Sequence, residues 1–307
     1  MEKLKVVFMG TPLFSVNILE ALNNKWDVVL VVTSPDAYIG RKRVLTPCPV
    51  KKRALELGLS VSSPEKVCKD FSTIVDAKPD VIVTCAYGQI VSKDILDIPK
   101  YGCINIHASL LPKYRGGAPI HYALINGEAE TGITLMYMDE GMDTGDMLVS
   151  ESVKIEDNDN IETLSDKLSL LGADMISRYL EDITDGKIER IKQDNEKASF
   201  ARIIKRSDEH LDFNLSNKDV FNKFRALSPN PLPNFIMDDV EYKIAECYLS
   251  DEEGETSSII SEGKDYFVIG CASGSLKVTK IKPSGKNIMS VRDFKNGYGS
   301  LLGKALK

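Results

Sequence analysis

The 307-residue chain lacks the features that mark a membrane or exported protein. No apolar run approaches the ~18–20 residues that a membrane-spanning helix needs. The apolar stretch near the N-terminus is too short for the core of a signal peptide. We therefore expect no membrane partner and a cytoplasmic location.

Paired cysteines and clustered histidines are also missing. The chain has three histidines and six scattered cysteines with no CxxC pair, which predicts no metal site and reduced thiols in the core. Neither GxGxxG nor GxxxxGK[ST] occurs, so NAD and ATP are poorly supported as cofactors. Gly10-Thr11-Pro12 follows the first apolar run, but a tightly packed helix start explains it equally well.

What is present in the first half is an alternation of strands and helices. The runs Val6–Met9, Val28–Val32 and Val81–Val83 are continuously apolar, as expected of strands buried on both faces. Further predicted elements are a strand at Cys103–His107, a hairpin of Ile133–Met138 with Met147–Ile155, a helix whose buried stripe includes Leu13, Val16, Leu19 and Leu22, and a helix at Ile161–Asp182. This order predicts a Rossmann-like, mostly parallel α/β sheet over residues 1–189.

The pattern changes after residue 190. Residues 190–208 are polar and basic and are predicted to be a linker. A helix at Ser216–Leu227 follows, and then several short strands separated by turn residues. We predict that residues 209–307 form a small, OB-like β-barrel domain.

Ligands of such sheets bind at the carboxyl ends of the strands. This rule indicates Gly10, Ser34, Tyr87, His107 and the loop after Met138. Asn105 and His107 lie two positions apart in a predicted strand and therefore share a face. An amide donor beside a proton exchanger suits acyl transfer, although an ordinary hydrogen-bonded pair explains the spacing as well.

The loop Met138–Met147 offers a carboxylate to complete that site. Gly141 and Gly145 bracket Asp143, which could orient His107 or accept a proton. Asp139, Glu140 and Asp146 compete for this role on sequence grounds, and a solvated acidic turn is the simpler alternative.

The runs Asn105–Ile120 and Met138–Leu148 resemble the folate-dependent formyltransferases, and the resemblance extends over essentially the whole chain. Other segments that carry it are Phe8–Pro12, Arg41–Arg53, Ala201–Lys205, and Arg225–Leu227 with Pro229 and Pro231. The basic loop and the C-terminal features are similar to the tRNA-specific members. The loop lacks an early arginine and a glycine of the usual pattern, and Asn230 stands where a tryptophan is common.

The resemblance implies transfer of a formyl group from 10-formyltetrahydrofolate to the α-amine of methionyl initiator tRNA, without a metal. It implies that Asn105 and His107 are catalytic oxyanion donors and that Asp143 holds His107 and helps to move the amine proton. The residues that it implies for the folate are Ser109, Leu110, Leu111, Pro112, Tyr87, Gly88 and Ile90. Arg115 is predicted to meet phosphate or substrate, or else to lie on the surface. We expect the chain to be a monomer.

The charge distribution supports a nucleic-acid partner despite a net charge of −6. Residues 41–53 and 280–307 each carry a net charge of +6, which leaves −18 on the rest. Basic side chains that neutralise phosphates favour nucleic-acid binding, although solvated surface segments also carry such runs of charge. The residues predicted to contact tRNA are Arg41, Lys42, Arg43, Lys51 and Lys52.

Three rival functions remain open from the sequence. A sugar-amine formyltransferase or a formyltetrahydrofolate hydrolase would share Asn105, His107 and Asp143. A non-catalytic RNA-binding protein could retain the domain in degenerate form, although the intact set of three residues argues against this.

Overall fold

Apolar runs of the sequence form the centre of a seven-stranded sheet in the computed structural model, which describes residues 3–40 and 42–307. The strands in chain order are β1 Lys5–Gly10, β2 Asp27–Val32, β3 Ala37–Ile39, β4 Val44–Thr46, β5 Val61–Ser62, β6 Val81–Cys85, β7 Cys103–His107, β8 Glu130–Tyr137 and β9 Met147–Lys154. The sheet order is β5-β2-β1-β6-β7-β8-β9, and β3 pairs with β4 in a separate hairpin. The strands β5, β2, β1, β6 and β7 are parallel, and β8 and β9 add an antiparallel hairpin.

Six helices accompany these strands in the described residues. They are α1 Val16–Lys25, α2 Pro49–Glu56, α3 Ser72–Ala77, α4 Lys93–Leu96, α5 Pro119–Ile125 and α6 Ile161–Thr184. The buried stripe predicted for α1 is correct at Leu19 and Leu22, which are fully buried. It is wrong at Leu13, which is 69% exposed because a short 3-10 turn over Leu13–Ser15 precedes the helix and changes the angular position of its residues.

The C-terminal part is a predominantly antiparallel β structure. Its elements are α7 Asn217–Leu227, β10 Asn234–Met237, β11 Val240–Ser250, β12 Ile259–Glu262, β13 Phe267–Gly270, β14 Ser275–Pro283, β15 Met289–Ser290 and α8 Val291–Tyr298. The sheet order is β10-β11-β14-β13-β12, with β15 beside β14. Aromatic side chains fill its core, including the stacked rings of Phe235 and Tyr242, whose centroids are 5.7 Å apart.

The last residues of the chain join the two edges of this sheet. Lys307 exchanges two backbone hydrogen bonds with Ile236 of β10, at 2.8 and 2.9 Å. Ile259 of β12 donates to the Lys304 carbonyl at 3.0 Å, and Leu306 donates to the Ser257 carbonyl at 2.7 Å. Pairing of both edges removes exposed strand edges, as closed barrels do. The predicted fold class, a mostly parallel sheet followed by a small β-barrel, is confirmed.

The chain divides into two units. One comprises residues 1–119, 130–154 and 165–202, and the other comprises residues 120–129, 155–164 and 203–307. The predicted domain bounds at 189 and 209 stay a prediction. In the described residues, no helix is both long and apolar enough to span a bilayer.

Candidate active site

Asn105 and His107 lie on the interior strand β7, between β6 and β8. Residues two apart in a strand point to the same face of the sheet, so the predicted alternation brings the two side chains together. His107 is buried, at 5% exposure, whereas Asn105 is partly accessible.

Asp143 reaches this face by an indirect route. Because β8 runs antiparallel to β7, the loop after it begins beside the start of β7, where Met138 N–H donates to the Cys103 carbonyl at 2.8 Å. The loop then folds back along the sheet. Gly145 permits this close approach, because a Cβ atom there would lie 1.9 Å from the Tyr137 carbonyl oxygen.

The three predicted catalytic side chains converge on one carboxylate oxygen. Asp143 Oδ1 lies 3.4 Å from Asn105 Nδ2 and 3.6 Å from His107 Nδ1. The other oxygen, Oδ2, accepts a 2.8 Å hydrogen bond from the Gly116 N–H. Asp143 itself adopts a left-handed backbone conformation, with φ of +53°. Its carboxylate is therefore aimed by both backbone conformation and hydrogen bonding.

The remaining polar atoms of Asn105 and His107 are also occupied. Thr84 Oγ1 donates to Asn105 Oδ1 at 2.9 Å, which leaves the amide N–H groups directed toward the site. His107 Nε2 lies 3.0 Å from the Tyr114 carbonyl. Both ring nitrogens thus face acceptors, the Asp143 carboxylate at Nδ1 and the Tyr114 carbonyl at Nε2. The geometry provides hydrogen-bond donors and a carboxylate around one small volume.

Sequence reasoning missed three residues that shape this site. Thr84 is the polar member of the apolar run of β6, and that contrast was its available signal. Gly116 contributes through its backbone, and Gln193 lies in a polar segment where no motif distinguishes it. Side-chain partners of this kind depend on tertiary structure, which periodicity does not describe.

The predicted folate residues lie near the carboxyl ends of β6 and β7 but differ in accessibility. Ser109 is fully buried and donates to the Lys113 carbonyl at 2.6 Å, and Leu111 is 7% exposed. Leu110 and Pro112 are half-buried, Ile90 is 83% exposed, and Gly88 adopts a φ of +87°. Buried residues, which pack against the sheet, therefore alternate with more exposed residues in these two loops.

Tyr87 is the most unusual of these positions. It is 4% exposed, and its hydroxyl is buried without a hydrogen-bond partner among the described residues. Burial raises the pKa of this phenol to about 12. Its carbonyl accepts from Thr11 Oγ1 at 2.8 Å and from Ser34 Oγ at 3.4 Å. The ends of β1, β2 and β6 are thus linked there.

The position of Arg115 contradicts both alternatives that the sequence left open for it. It is neither on the surface nor available to phosphate, because it is 3% exposed and donates to Gln193 and Asn195. Backbone pairing with Ser199 and Ala201, at 2.8 and 2.7 Å, places it beside the segment that follows residue 190.

The predicted tRNA residues fall into two groups. Lys42, Arg43 and Lys52 are exposed, and the Arg43 guanidinium lies 5.3 Å from the centre of the Tyr38 ring. Lys51 instead forms an ion pair with Asp36 at 2.7 Å. Arg41 lies outside the described residues.

A cavity of about 620 Å³ lies at the start of β7. Cys103, Tyr137 and Glu140 line it together with Arg190, and the cavity involves neither the Asn105–His107–Asp143 cluster nor the predicted folate residues. The converging side chains, rather than this cavity, define the candidate site. The described residues contain no cluster of three or more His, Cys, Asp or Glu side chains that could hold a metal ion.

Two family models match the chain. The model described as formyl transferase matches residues 3–180, and the model described as formyl transferase, C-terminal domain, matches residues 203–299. The chain belongs to the formyl transferase family. The predicted resemblance is confirmed, and the formyl transferase models together match well over half of the chain.

Relatives of similar length are named for a specific activity. A methionyl-tRNA formyltransferase of Listeria welshimeri is 45% identical, with 99% of this chain and 98% of that protein covered. The methionyl-tRNA formyltransferase of Staphylococcus aureus is 43% identical, with 98% of this chain and 99% of that protein covered.

Solved structures share the fold of this formyl transferase at lower identity. The N-formyltransferase from Helicobacter canadensis, in complex with folinic acid and dTDP-3-aminofucose, has a TM-score of 0.67 at 21% identity, with 91% of this chain and 98% of that chain covered. HypX from Aquifex aeolicus, in complex with tetrahydrofolic acid, has a TM-score of 0.65 at 14% identity, with 98% of this chain and 48% of that chain covered.

Proposed function

We propose that this formyl transferase moves the formyl group of 10-formyltetrahydrofolate to the α-amino group of methionyl initiator tRNA, which gives N-formylmethionyl-tRNA for translation initiation. Full-length identity of 43–46% to methionyl-tRNA formyltransferases supports this reaction. The structural observation that carries the proposal is the convergence of Asn105 Nδ2 and His107 Nδ1 on Asp143 Oδ1, at 3.4 and 3.6 Å.

The reaction begins when the methionine amine attacks the formyl carbon of the folate. The formyl oxygen becomes an oxyanion, which needs donors already in place. The Asn105 amide supplies one donor, since Thr84 holds its oxygen and directs its N–H groups away. His107 supplies the second from Nδ1, because Nε2 faces the Tyr114 carbonyl.

The tetrahedral species then collapses with transfer of a proton. The attacking nitrogen loses one proton, the C–N10 bond breaks, and N10 gains one proton. Asp143 is proposed to accept the amine proton, directly or through water, and to return it to N10. The same carboxylate lies 3.6 Å from His107 Nδ1, so Asp143 is proposed both to orient the imidazole ring and to relay the proton.

The folate is proposed to bind along the loops that follow β6 and β7. Ile90 and Leu110 offer apolar surface, and Gly88 leaves its backbone open to a planar ring. Ser109, Leu111 and Pro112 brace the loop against the sheet, and Tyr87 contributes its backbone.

The tRNA is proposed to contact the hairpin β3–β4 and the start of α2. Lys42, Arg43 and Lys52 are exposed there, and Lys51 is held by Asp36. Arg41 is included in this proposal by sequence alone. In the C-terminal barrel, Lys282 and Lys286 are exposed and outside any ion pair of the described residues.

The test is a comparison of acceptors with 10-formyltetrahydrofolate as donor. We expect rapid formyl transfer to methionyl initiator tRNA, slower transfer to methionyl elongator tRNA, and none to an amino-sugar nucleotide. Transfer to the sugar with none to initiator tRNA would replace this proposal by the sugar-amine alternative. Formate release without any acceptor would favour the hydrolase.

The proposal also covers the oligomeric state and the cellular location of the enzyme. We propose that the enzyme is active as a monomer, which sedimentation at the assay concentration would test. Because the proposed substrate is a charged tRNA, we place the enzyme in the cytoplasm, which cell fractionation would test.

A further inference from the structure

The segment after residue 190, predicted to be a linker, lies along the loop that carries Asp143. Ile191 and Met147 exchange two backbone hydrogen bonds of 2.8 and 2.9 Å. Further along, Ser199 and Ala201 pair with the backbone of Arg115. The segment is therefore fixed on both sides of Gln193, which lies between these pairings.

Gln193 holds the backbone of the catalytic loop. Its Nε2 donates to the carbonyl of Asp143 and to the carbonyl of Gly145, both at 2.8 Å. A side-chain amide has two N–H groups, so both are used on this one loop. The two carbonyls flank the turn that aims the Asp143 carboxylate.

Arg115 sets the orientation of that amide. Its Nε and Nη2 donate to Gln193 Oε1 at 2.9 and 2.8 Å, and Nη2 also donates to Asn195 Oδ1 at 2.9 Å. A guanidinium can only donate, so it selects the oxygen of the amide and turns the nitrogen toward the loop. The buried arginine thus acts on the loop through Gln193.

The loop needs such support because Asp143 lies in the left-handed region, with φ of +53°. This conformation costs energy for any residue with a Cβ atom, although less for Asp than for most, and surrounding contacts help to hold it. Released carbonyls would let the loop relax and would move Oδ1 away from Asn105 and His107.

We propose that Gln193, oriented by Arg115, is a positioning residue that keeps Asp143 in its reactive geometry. This inference rests on the proposed function, in which Asp143 serves His107 and the amine proton. Gln193 touches neither substrate in this proposal and acts through the loop backbone alone.

The first test replaces Gln193 and measures kcat and KM separately. Gln193→Ala removes the clamp, and Gln193→Glu keeps the acceptor for Arg115 but presents no N–H to the two carbonyls. We expect both variants to lower kcat by about 10- to 100-fold, since small misplacements of reacting groups cost up to about 10²-fold. KM for the folate and for the tRNA should change little.

Asn217→Ala is a matched control. Asn217 is also a half-buried amide whose nitrogen donates to two backbone carbonyls, those of Ser250 and Ser275, in the other unit. We expect this variant to keep its kcat. Urea unfolding of all variants then separates loss of folding from loss of positioning, and a wild-type kcat in folded Gln193→Ala and Gln193→Glu would overturn the inference.

A double-mutant cycle with Asp143→Ala gives the sharper readout. If Gln193 acts through Asp143, Gln193→Ala should cost almost nothing further in the Asp143→Ala background. Full additivity of the two losses would overturn the positioning role and leave a general structural one. If Asp143→Ala alone keeps full kcat, the proposed role of Asp143 fails instead.

Discussion

At the scale of single residues, the candidate site depends on the side chains of Asn105 and Asp143, each of which is held in place at one of its two polar atoms. Asn105 Oδ1 is held by Thr84, and Asp143 Oδ2 is held by the Gly116 N–H. The opposite atoms, Asn105 Nδ2 and Asp143 Oδ1, lie 3.4 Å apart, and we propose that the formyl carbon reacts beside them. Pre-oriented donors avoid reorganisation during the reaction, which is why such contacts affect rate more than binding.

The Thr84 hydroxyl offers a direct test of this orientation. Thr84→Val removes the donor to Asn105 Oδ1 and keeps the branched shape of the side chain. We expect kcat to fall about 10-fold, roughly 1.4 kcal/mol, because the amide can then rotate away from the oxyanion. KM for the folate should stay nearly unchanged.

Thr73→Val is the control for that substitution. Thr73 is exposed, and its hydroxyl donates to Ser62 Oγ at 3.1 Å, away from the sheet centre. We expect wild-type kcat for this variant. Equal kcat values for Thr84→Val and Thr73→Val would show that the Asn105 amide needs no anchor.

The residue-scale pattern was partly predictable from the sequence. Alternation in Cys103–His107 predicted that Asn105 and His107 share a face, and the motif indicated Asp143 among four acidic candidates. Thr84, Gly116 and Gln193 were not predictable, because each acts through a partner far away in the chain.

At the scale of elements, the central strands combine an apolar interior with thiols that resist ionisation. Burial raises the pKa of the Cys85 thiol in β6 to about 12, and burial also raises that of Cys103 in β7 to about 12. The ordinary value is 9.0, so the folded state disfavours the thiolate that the unfolded chain would form.

This shift predicts a loss of stability at alkaline pH. The pKa of each thiol is higher in the folded state than in the unfolded state. The buried thiol's contribution to the free energy of unfolding is therefore complete below about pH 9 and is lost as the pH rises toward 12. Each thiol should lower the free energy of unfolding by about 1.4 kcal/mol per pH unit in that window. In urea unfolding between about pH 8.5 and 10.5, Cys85→Ala should show a shallower decline than wild type. Identical slopes would contradict the buried-thiol account.

The hairpin β3–β4 is the element predicted to meet tRNA. The sequence predicts only a basic loop here, because three-residue strands leave no clear alternation. In the structure, Tyr38 and Ile39 are exposed on it, and Arg43 lies over the Tyr38 ring. Exposed cations and an aromatic ring on one short element suit contact with a nucleic acid.

Charge reversal at this hairpin should separate the two substrates. We expect Lys42→Glu with Arg43→Glu to raise KM for the tRNA at least 10-fold and to leave folate binding nearly unchanged, because phosphate contacts supply much of the affinity for nucleic acid. Lys66→Glu with Lys69→Glu, a charge-matched change at two exposed lysines elsewhere, should affect neither. An equal loss of tRNA and folate binding would contradict a specific tRNA role.

At the scale of the whole molecule, many cations of the two basic segments are paired with carboxylates, so the net charge of each segment overstates the number of cations that remain for another partner. In residues 42–53, Lys51 pairs with Asp36 and Arg53 pairs with Glu20, both at 2.7 Å. In residues 280–307, five of the seven basic side chains form ion pairs: Lys280, Arg292, Lys295, Lys304 and Lys307. The cations left for phosphate are therefore a subset that only the folded structure identifies.

The architecture was also only partly predictable from the sequence. Apolar runs predicted the parallel sheet and the β-rich C-terminal domain, because burial on both faces leaves a clear pattern. Closure of the barrel by residues 304–307 and the attachment of residues 191–201 beside the Asp143 loop leave no such pattern, because both depend on backbone hydrogen bonds to residues far away in the chain.

The central claim is that Asn105 and His107 stabilise the oxyanion of formyl transfer. It is tested most directly by single-turnover transfer from 10-formyltetrahydrofolate to methionyl initiator tRNA in Asn105→Ala and His107→Ala. Loss of one oxyanion donor typically costs about 10²–10³ in kcat, and we expect losses of this size in each variant. Rates within a few-fold of wild type in both folded variants would contradict the account.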